Sequence, residues 1–282
     1  MKKGRLLMAK RKVKTAKRNR MTVDELNAIK TSYEEPLKAK DYLTFIGLPG
    51  LVAGAFVTIQ VYYPLVTVVA FLLGCLYGWL YLLPKTVKKN YERASLIERN
   101  KFLNSMTQVM SDESKTVQQG IDTVTLRIDG AFKDDLIRLQ ASLFGADTDK
   151  ARHAFRIITK KYEDDIIFSQ YMEQIETSLI EGNSNVETLK DIKEYHNQMK
   201  DKQEDFEKLK GGHFSAMKVM FGMVCVLVIA VNFSFGFDSY YEAFARHWIG
   251  WATSAIYTTA ITYTVLQFSK YMFDDSVTVM TK

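Results

Sequence analysis

Three adjacent carboxylates, Glu163, Asp164 and Asp165, and four histidines, His153, His196, His213 and His247, are the side chains here that could move a proton or ligate a metal. Neither set has the spacing for it. A helical zinc site needs two histidines one turn apart flanking a glutamate, and no HExxH occurs. The three carboxylates stand just before an apolar stripe that starts at Ile167, where acids favour the helix dipole. They are expected to form a solvated helix start. No GxxxxGK[ST], CxxC or GxSxG is present, so a phosphate cradle, a paired-thiol site and a nucleophile elbow are all missing. Cys75 and Cys225 both lie in apolar stretches and read as small buried residues, not as a disulfide. No catalytic residue, metal or cofactor is expected, and the chain reads as non-enzymatic.

The distribution of charge shows what positions these residues. The formal net charge is +6 over 282 residues, but it is localised. Residues 1–41 carry 13 basic and 5 acidic side chains, and residues 85–212 carry 21 and 23. Residues 42–84 carry no charge, nor do 219–237 or, with histidine neutral, 247–269. A single crossing of a bilayer takes about 20 residues, so 42–84 predicts a transmembrane hairpin. Gln60, Tyr62, Tyr63 and Pro64 supply its turn, and Pro49 predicts a bend in its first helix. Residues 213–269 predict a third and a fourth crossing, joined by a short outer loop near 238–246. The fold class is therefore all-α: a polytopic membrane protein with four transmembrane helices and a central cytoplasmic helical bundle at 85–212, followed by a tail at 270–282.

Orientation follows from the basic flanks. Ten Lys or Arg and no acid occupy the first twenty residues, and Lys85, Lys88, Lys89 and Arg93 follow the hairpin. Positive flanks stay inside, so the chain is expected to be multi-pass in the cell membrane with both termini cytoplasmic. The basic arm can also hold anionic lipid head groups. No aromatic residue interleaves its lysines, so nucleic acid is not an expected partner. Thr22 and Glu25 form a capping-box pattern that predicts a short helix to about Tyr33.

Both hairpin helices carry a GxxxG, Gly50/Gly54 and Gly74/Gly78. That spacing puts each pair on one face and lets backbones approach, either within the hairpin or against another subunit. Hydroxyl residues Thr253, Ser254, Thr258, Thr259, Thr262 and Thr264 in the fourth crossing are expected to face other helices.

The central block reads as six helices, from apolar spacing at helical period. Phe132, Leu136, Leu139 and Leu143 mark the third. Ile167, Phe168, Tyr171, Ile175 and Leu179 mark the fifth. Glu181, Gly182 and Asn183 break the chain there, and a sixth helix restarts after a Ser184 or Asn185 cap. Gly211 and Gly212 predict a loosened join to the third crossing. A weak echo relates Phe102, Met106 and Val109 to Phe168, Met172 and Ile175.

The helical pair broken at Leu179–Leu189 by a Gly-Asn turn, and the bundle leading straight into membrane helices, resemble the F domain of type II secretion and type IV pilus machines. The order of hairpin, one bundle and two further crossings is most similar to the TadB and TadC platform proteins of tight-adherence pili, over roughly residues 96–227. The resemblance implies a platform protein that couples a cytoplasmic hexameric ATPase to assembly of pilin-like subunits, as an oligomer with itself or with a paralogous platform subunit. Partner contact is then expected at Glu163, Asp164, Glu181, Gly182 and Asn183, if the turns that carry them share one end of the bundle. The alternative is a membrane component of a conjugative transfer or transport channel that binds partners through the same domain.

Overall fold

The computed structural model describes residues 21–112, 114–182 and 185–273. The basic stretch 1–20, Asn183 and the segment after 273 lie outside them. All regular structure among the described residues is helical.

Helix α1 (Val23–Thr31) starts as its capping box dictates: the Thr22 hydroxyl accepts from the Glu25 amide, and the Glu25 carboxylate accepts from the Thr22 amide. Its buried Leu26 packs with Leu83 and Val87. Just beyond it, Ser32 O accepts from the Ala131 amide at 3.2 Å and the Tyr33 hydroxyl from the Phe132 amide at 3.2 Å. Gly130, at φ +68°, makes room for the Tyr33 ring. Residues 21–41 thus bracket the base of the bundle to the end of the hairpin, in addition to carrying charge.

Helix α2 (Ala39–Val61) and helix α3 (Pro64–Met110) form the hairpin. Tyr62, in the left-handed region at φ 49°, ends α2, and Pro64 opens α3. Just before Pro49 the chain makes a π-helical turn over Leu43–Gly47. A second π turn, Gly78–Leu82, precedes Pro84. Proline removes a donor and pushes on the carbonyl four residues back, and one widened turn accommodates both effects. The result is that α3 runs unbroken for 47 residues, about 70 Å at 1.5 Å per residue.

The bundle follows: α4 (Val117–Thr125), α5 (Gly130–Leu143), α6 (Thr148–Lys161), α7 (Ile166–Glu181) and α8 (Val186–Phe235). Thr116, Asp147 and Asn185 supply N-caps, and Gly182 at φ +70° caps the end of α7. With the first strut α3, these make six helices running up and down. Their core is one cluster around Phe102, Phe132, Phe155, Phe168, Tyr171 and Leu189. The two echoed phenylalanines, Phe102 and Phe168, meet in it at 6.4 Å between ring centroids. Edge-on aromatic pairs of this kind add to their burial.

Helix α8 continues for 50 residues, about 75 Å, and does not loosen at Gly211 and Gly212. Two glycines cost a helix only about 1 kcal/mol each. The stretch is held by its flanks: Lys210 is buried over Phe206 and Tyr271. A short helix α9 (Phe237–Tyr240) and a π turn (Tyr241–Ala245) replace the expected outer loop. Helix α10 (Trp248–Met272) is the last helix among the described residues.

Among the described residues three helices, α2, α3 and α8, are long and apolar enough to cross a membrane. Helix α10 is long enough at 25 residues, but its Thr, Ser and Tyr residues dilute its apolar content. Those hydroxyls do not all face other helices. Ser254 is buried and Thr258 half-buried, whereas Thr253, Thr259, Thr262 and Thr264 are exposed. Thr253, Thr259 and Thr264 instead donate to the carbonyl four residues back in their own helix.

Candidate functional site

The carboxylate triplet divides in the fold. Glu163 and Asp164 are exposed, but Asp165 turns inward, its side chain 12% accessible. It caps α7 by accepting from the Phe168 amide at 3.0 Å. Its other oxygen accepts from Arg99 Nε of α3 at 2.9 Å and meets His196 Nε2 of α8 at 3.3 Å. Arg99 also donates to Ser95 Oγ at 2.6 Å and lies over the Tyr162 ring at 4.8 Å. Asn100 donates to His196 Nδ1 at 3.0 Å and to Asn197 at 2.7 Å. Asn104 and Asn197 exchange two further bonds. Because Nδ1 accepts, His196 presents its Nε2 proton to Asp165.

This buried girdle ties the two long helices, α3 and α8, to the start of α7. Burial works against the Asp165 charge, but the His196 bond and the Arg99 charge outweigh it and hold its carboxyl at about 2. Asp135 supplies a second buried carboxylate, bonded by Tyr162 at 2.7 Å and by Lys161. Among the described residues no group of three or more potential metal ligands converges. His153 is exposed, His213 lies beside Tyr271 at 6.2 Å, and His247 caps α10.

The girdle was the part that composition and spacing left unassigned. Its signal was present: His196 stands four residues after Ile192 and seven after Leu189, on the buried stripe of α8, where a polar ring needs partners.

Glu181 and Gly182 sit at the other end of α7 from Glu163 and Asp164. The helix between them has 16 residues, about 24 Å, so Glu163 and Asp164 do not share a patch with Glu181 and Gly182. The physical reason is the alternation of short turns: 162–165 falls at the base of the bundle, and Gly182, where α7 ends, falls at its tip. At that tip Glu181 is exposed, and a Cβ on Gly182 would meet nothing within 4 Å. Asn183 lies outside the described residues. The α5–α6 turn shares this end and presents Phe144, 88% exposed. Gln118 donates to Leu143 O at 3.3 Å and joins the α4 start to it.

In the hairpin, the four glycines face the opposite helix. A Cβ on Gly74 would fall 2.7 Å from Pro49 O and 2.8 Å from Gly50 Cα. One on Gly78 would strike Phe45 O, the carbonyl that Pro49 cannot serve as a donor. One on Gly50 would strike Cys75 Sγ, and one on Gly54 would come within 3.3 Å of Phe71 Cβ. The two π turns therefore abut through glycine. Polar pins fix the remaining helices. Tyr240 donates to Gln60 O at 3.0 Å, and Thr258 reaches Gln60 Oε1 at 3.5 Å. At the opposite end Tyr77 donates to Ser269 Oγ at 2.6 Å. Closer to the bundle, Glu207 of α8 pairs with Lys89 and Arg93 of α3.

The uncharacterized protein pXO2-23 of Bacillus anthracis is 45% identical over 264 residues, which cover 94% of this chain and 95% of the relative. The chain belongs to the pXO2-23 family. The match takes in hairpin, bundle and the last two helices together, so the family is defined over the whole architecture and not over one module. The relative is plasmid-encoded. No family model and no solved structure matches the chain.

Proposed function

We propose that this pXO2-23 family member is a non-enzymatic platform of the cell membrane, one that carries motion from a cytoplasmic ATPase to pilin-like subunits. One observation carries the reading. Two unbroken helices of 47 and 50 residues leave the apolar part and become the walls of the bundle. They are locked to one another and to α7 by the Arg99–Asp165–His196 girdle. A force on the bundle tip reaches the membrane helices without crossing a flexible joint. The helices cross as two antiparallel pairs, with α10 as the fourth crossing. In support, α10 is pinned to the hairpin at both of its levels, Thr258 to Gln60 and Ser269 to Tyr77.

The topology is testable. In a chain with Cys75 and Cys225 replaced by Ala, Ser239→Cys is expected to react with an impermeant maleimide in intact cells, and Ser142→Cys is not. Both residues are exposed, so protection reports sidedness. Labelling at Ser142 alone would invert the orientation, and labelling at neither would remove the outer turn.

The motor is expected to dock on the bundle tip. Phe144→Asp combined with Glu181→Lys should weaken co-purification of an ATPase from the chain's own gene cluster by roughly tenfold or more, since exposed aromatic anchors dominate such contacts. Exposed positions cost little stability when changed. Glu163→Lys with Asp164→Lys, at the base, serves as the control and should leave capture intact. Loss with the base pair but not with the tip pair would relocate the docking face. Capture of a conjugative coupling ATPase instead would assign the chain to a transfer channel.

A further inference from the structure

We propose that an anionic phospholipid of the inner leaflet binds in the cleft where α3 leaves the membrane. The cleft measures about 490 Å³ and is walled by the start of α1, the π turn of α3 and the end of α10. Trp79 and Leu80 form its apolar lower side, and both are more than 40% exposed. Lys85, Lys88 and Lys89 form its upper side, the last two standing three and four residues, about one turn, beyond the first on one face of α3.

The order of these groups along the helix matches a phospholipid. The charge-free run ends at Pro84 and the first ammonium follows at Lys85, so acyl chain and phosphate levels meet within the cleft. Three lysines face one glutamate, Glu92, among the lining residues. Lys85 lies over the Tyr81 ring at 5.4 Å. Lys88 meets Glu92 at 3.3 Å, with both side chains at least half exposed. An incoming phosphodiester can therefore take both ammonium groups. Lys89 acts differently. It holds Met272 O at 3.4 Å and Glu207 at 3.7 Å, which closes the α10 wall beside Phe273.

A lipid here would fill the wedge between the bracket formed by α1 and the membrane helices. It would make the stiffness of the base depend on leaflet composition. The inference rests on the membrane reading of the hairpin, and the experiment separates the two. Full-length protein is extracted from membranes, exposed to equimolar phosphatidylcholine and phosphatidylglycerol, and its retained lipid is measured by native mass spectrometry. Wild type is expected to retain phosphatidylglycerol in excess. Lys85→Gln with Lys88→Gln should cut that excess by about fivefold per lysine, while leaving the Lys89 contacts in place.

A chain lacking residues 1–20 should keep the excess, and free glycerol phosphate should not displace the lipid. An unchanged ratio in the double variant would overturn the proposal. So would loss of selectivity on removal of 1–20, or displacement by glycerol phosphate, which would mark a soluble-anion site. Resistance of the same protein to carbonate extraction scores membrane insertion separately. Insertion without selectivity rejects the lipid site alone, and failed insertion rejects both.

Discussion

Asp165→Ala is expected to destabilise the bundle by about 3–5 kcal/mol, the usual consequence of stranding one partner of a buried ion pair. Arg99, its side chain 11% accessible, would keep its charge with only Ser95 and two ring faces for company. His196, 2% accessible, would lose the acceptor for its Nε2 proton. Thermal or denaturant unfolding of the full chain in detergent, followed by circular dichroism, measures the loss. The joint change Arg99→Met with Asp165→Leu should recover much of it, because both charges are then gone. A loss under about 1 kcal/mol would mean that water reaches the girdle.

The same residue sets an acid dependence. Its folded pKa, about 2, lies below the ordinary 3.8, so the folded state favours the ionised form. Its contribution is present above about pH 4 and fades as pH falls toward 2, roughly 2 kcal/mol in all. Unfolding followed across that window should show the fade in wild type and not in Asp165→Ala. Equal acid profiles would assign the dependence to other carboxylates.

Gly74→Leu and Gly78→Leu are expected to open the hairpin. The atoms in the way are backbone: Pro49 O and Gly50 Cα for the first, Phe45 O and Ile46 Cα for the second. A backbone cannot rotate aside as a side chain can, so overpacking of about 1–3 kcal/mol per site should approach its upper end. The double variant should lower the melting temperature, and it should move the emission of Trp79, next to Gly78 on α3. Gly211→Ala with Gly212→Ala is the contrasting case. No atom lies within 4 Å of either added Cβ, and alanine favours a helix by about 1 kcal/mol per site, so stability should hold or rise. A hairpin that keeps its melting temperature with leucine at both sites would show that the GxxxG spacing has no packing role.

Local chemistry made much of the fold legible. Apolar period placed six helices in 85–212, because a core stripe at helical spacing can be buried in one way only. Caps at Thr22, Thr116, Asp147 and Asn185, and the glycine stop at Gly182, fixed the boundaries for reasons confined to a few neighbouring residues. The charge-free runs marked helices of membrane length for the same reason, since hydropathy sums over one segment.

What needed the tertiary structure was every question of which end meets which. Glu163 and Glu181 look alike in sequence, and only the up-and-down order of α3 to α8 sets them at opposite ends of the bundle. Asp165 is one carboxylate of three until the turn before α7 aims it at Arg99 and His196, 66 and 31 residues away along the chain. Gly211 and Gly212 predicted a loosened join on propensity alone. The helix persists there because packing on both sides outweighs the small local cost. The two π turns have no sequence signature beyond a proline, yet their carbonyls and the glycine opposite them set how closely the hairpin closes. Propensity, capping and hydropathy act over a few residues. Register between distant helices depends on shape, charge and approach distance summed over the whole assembly.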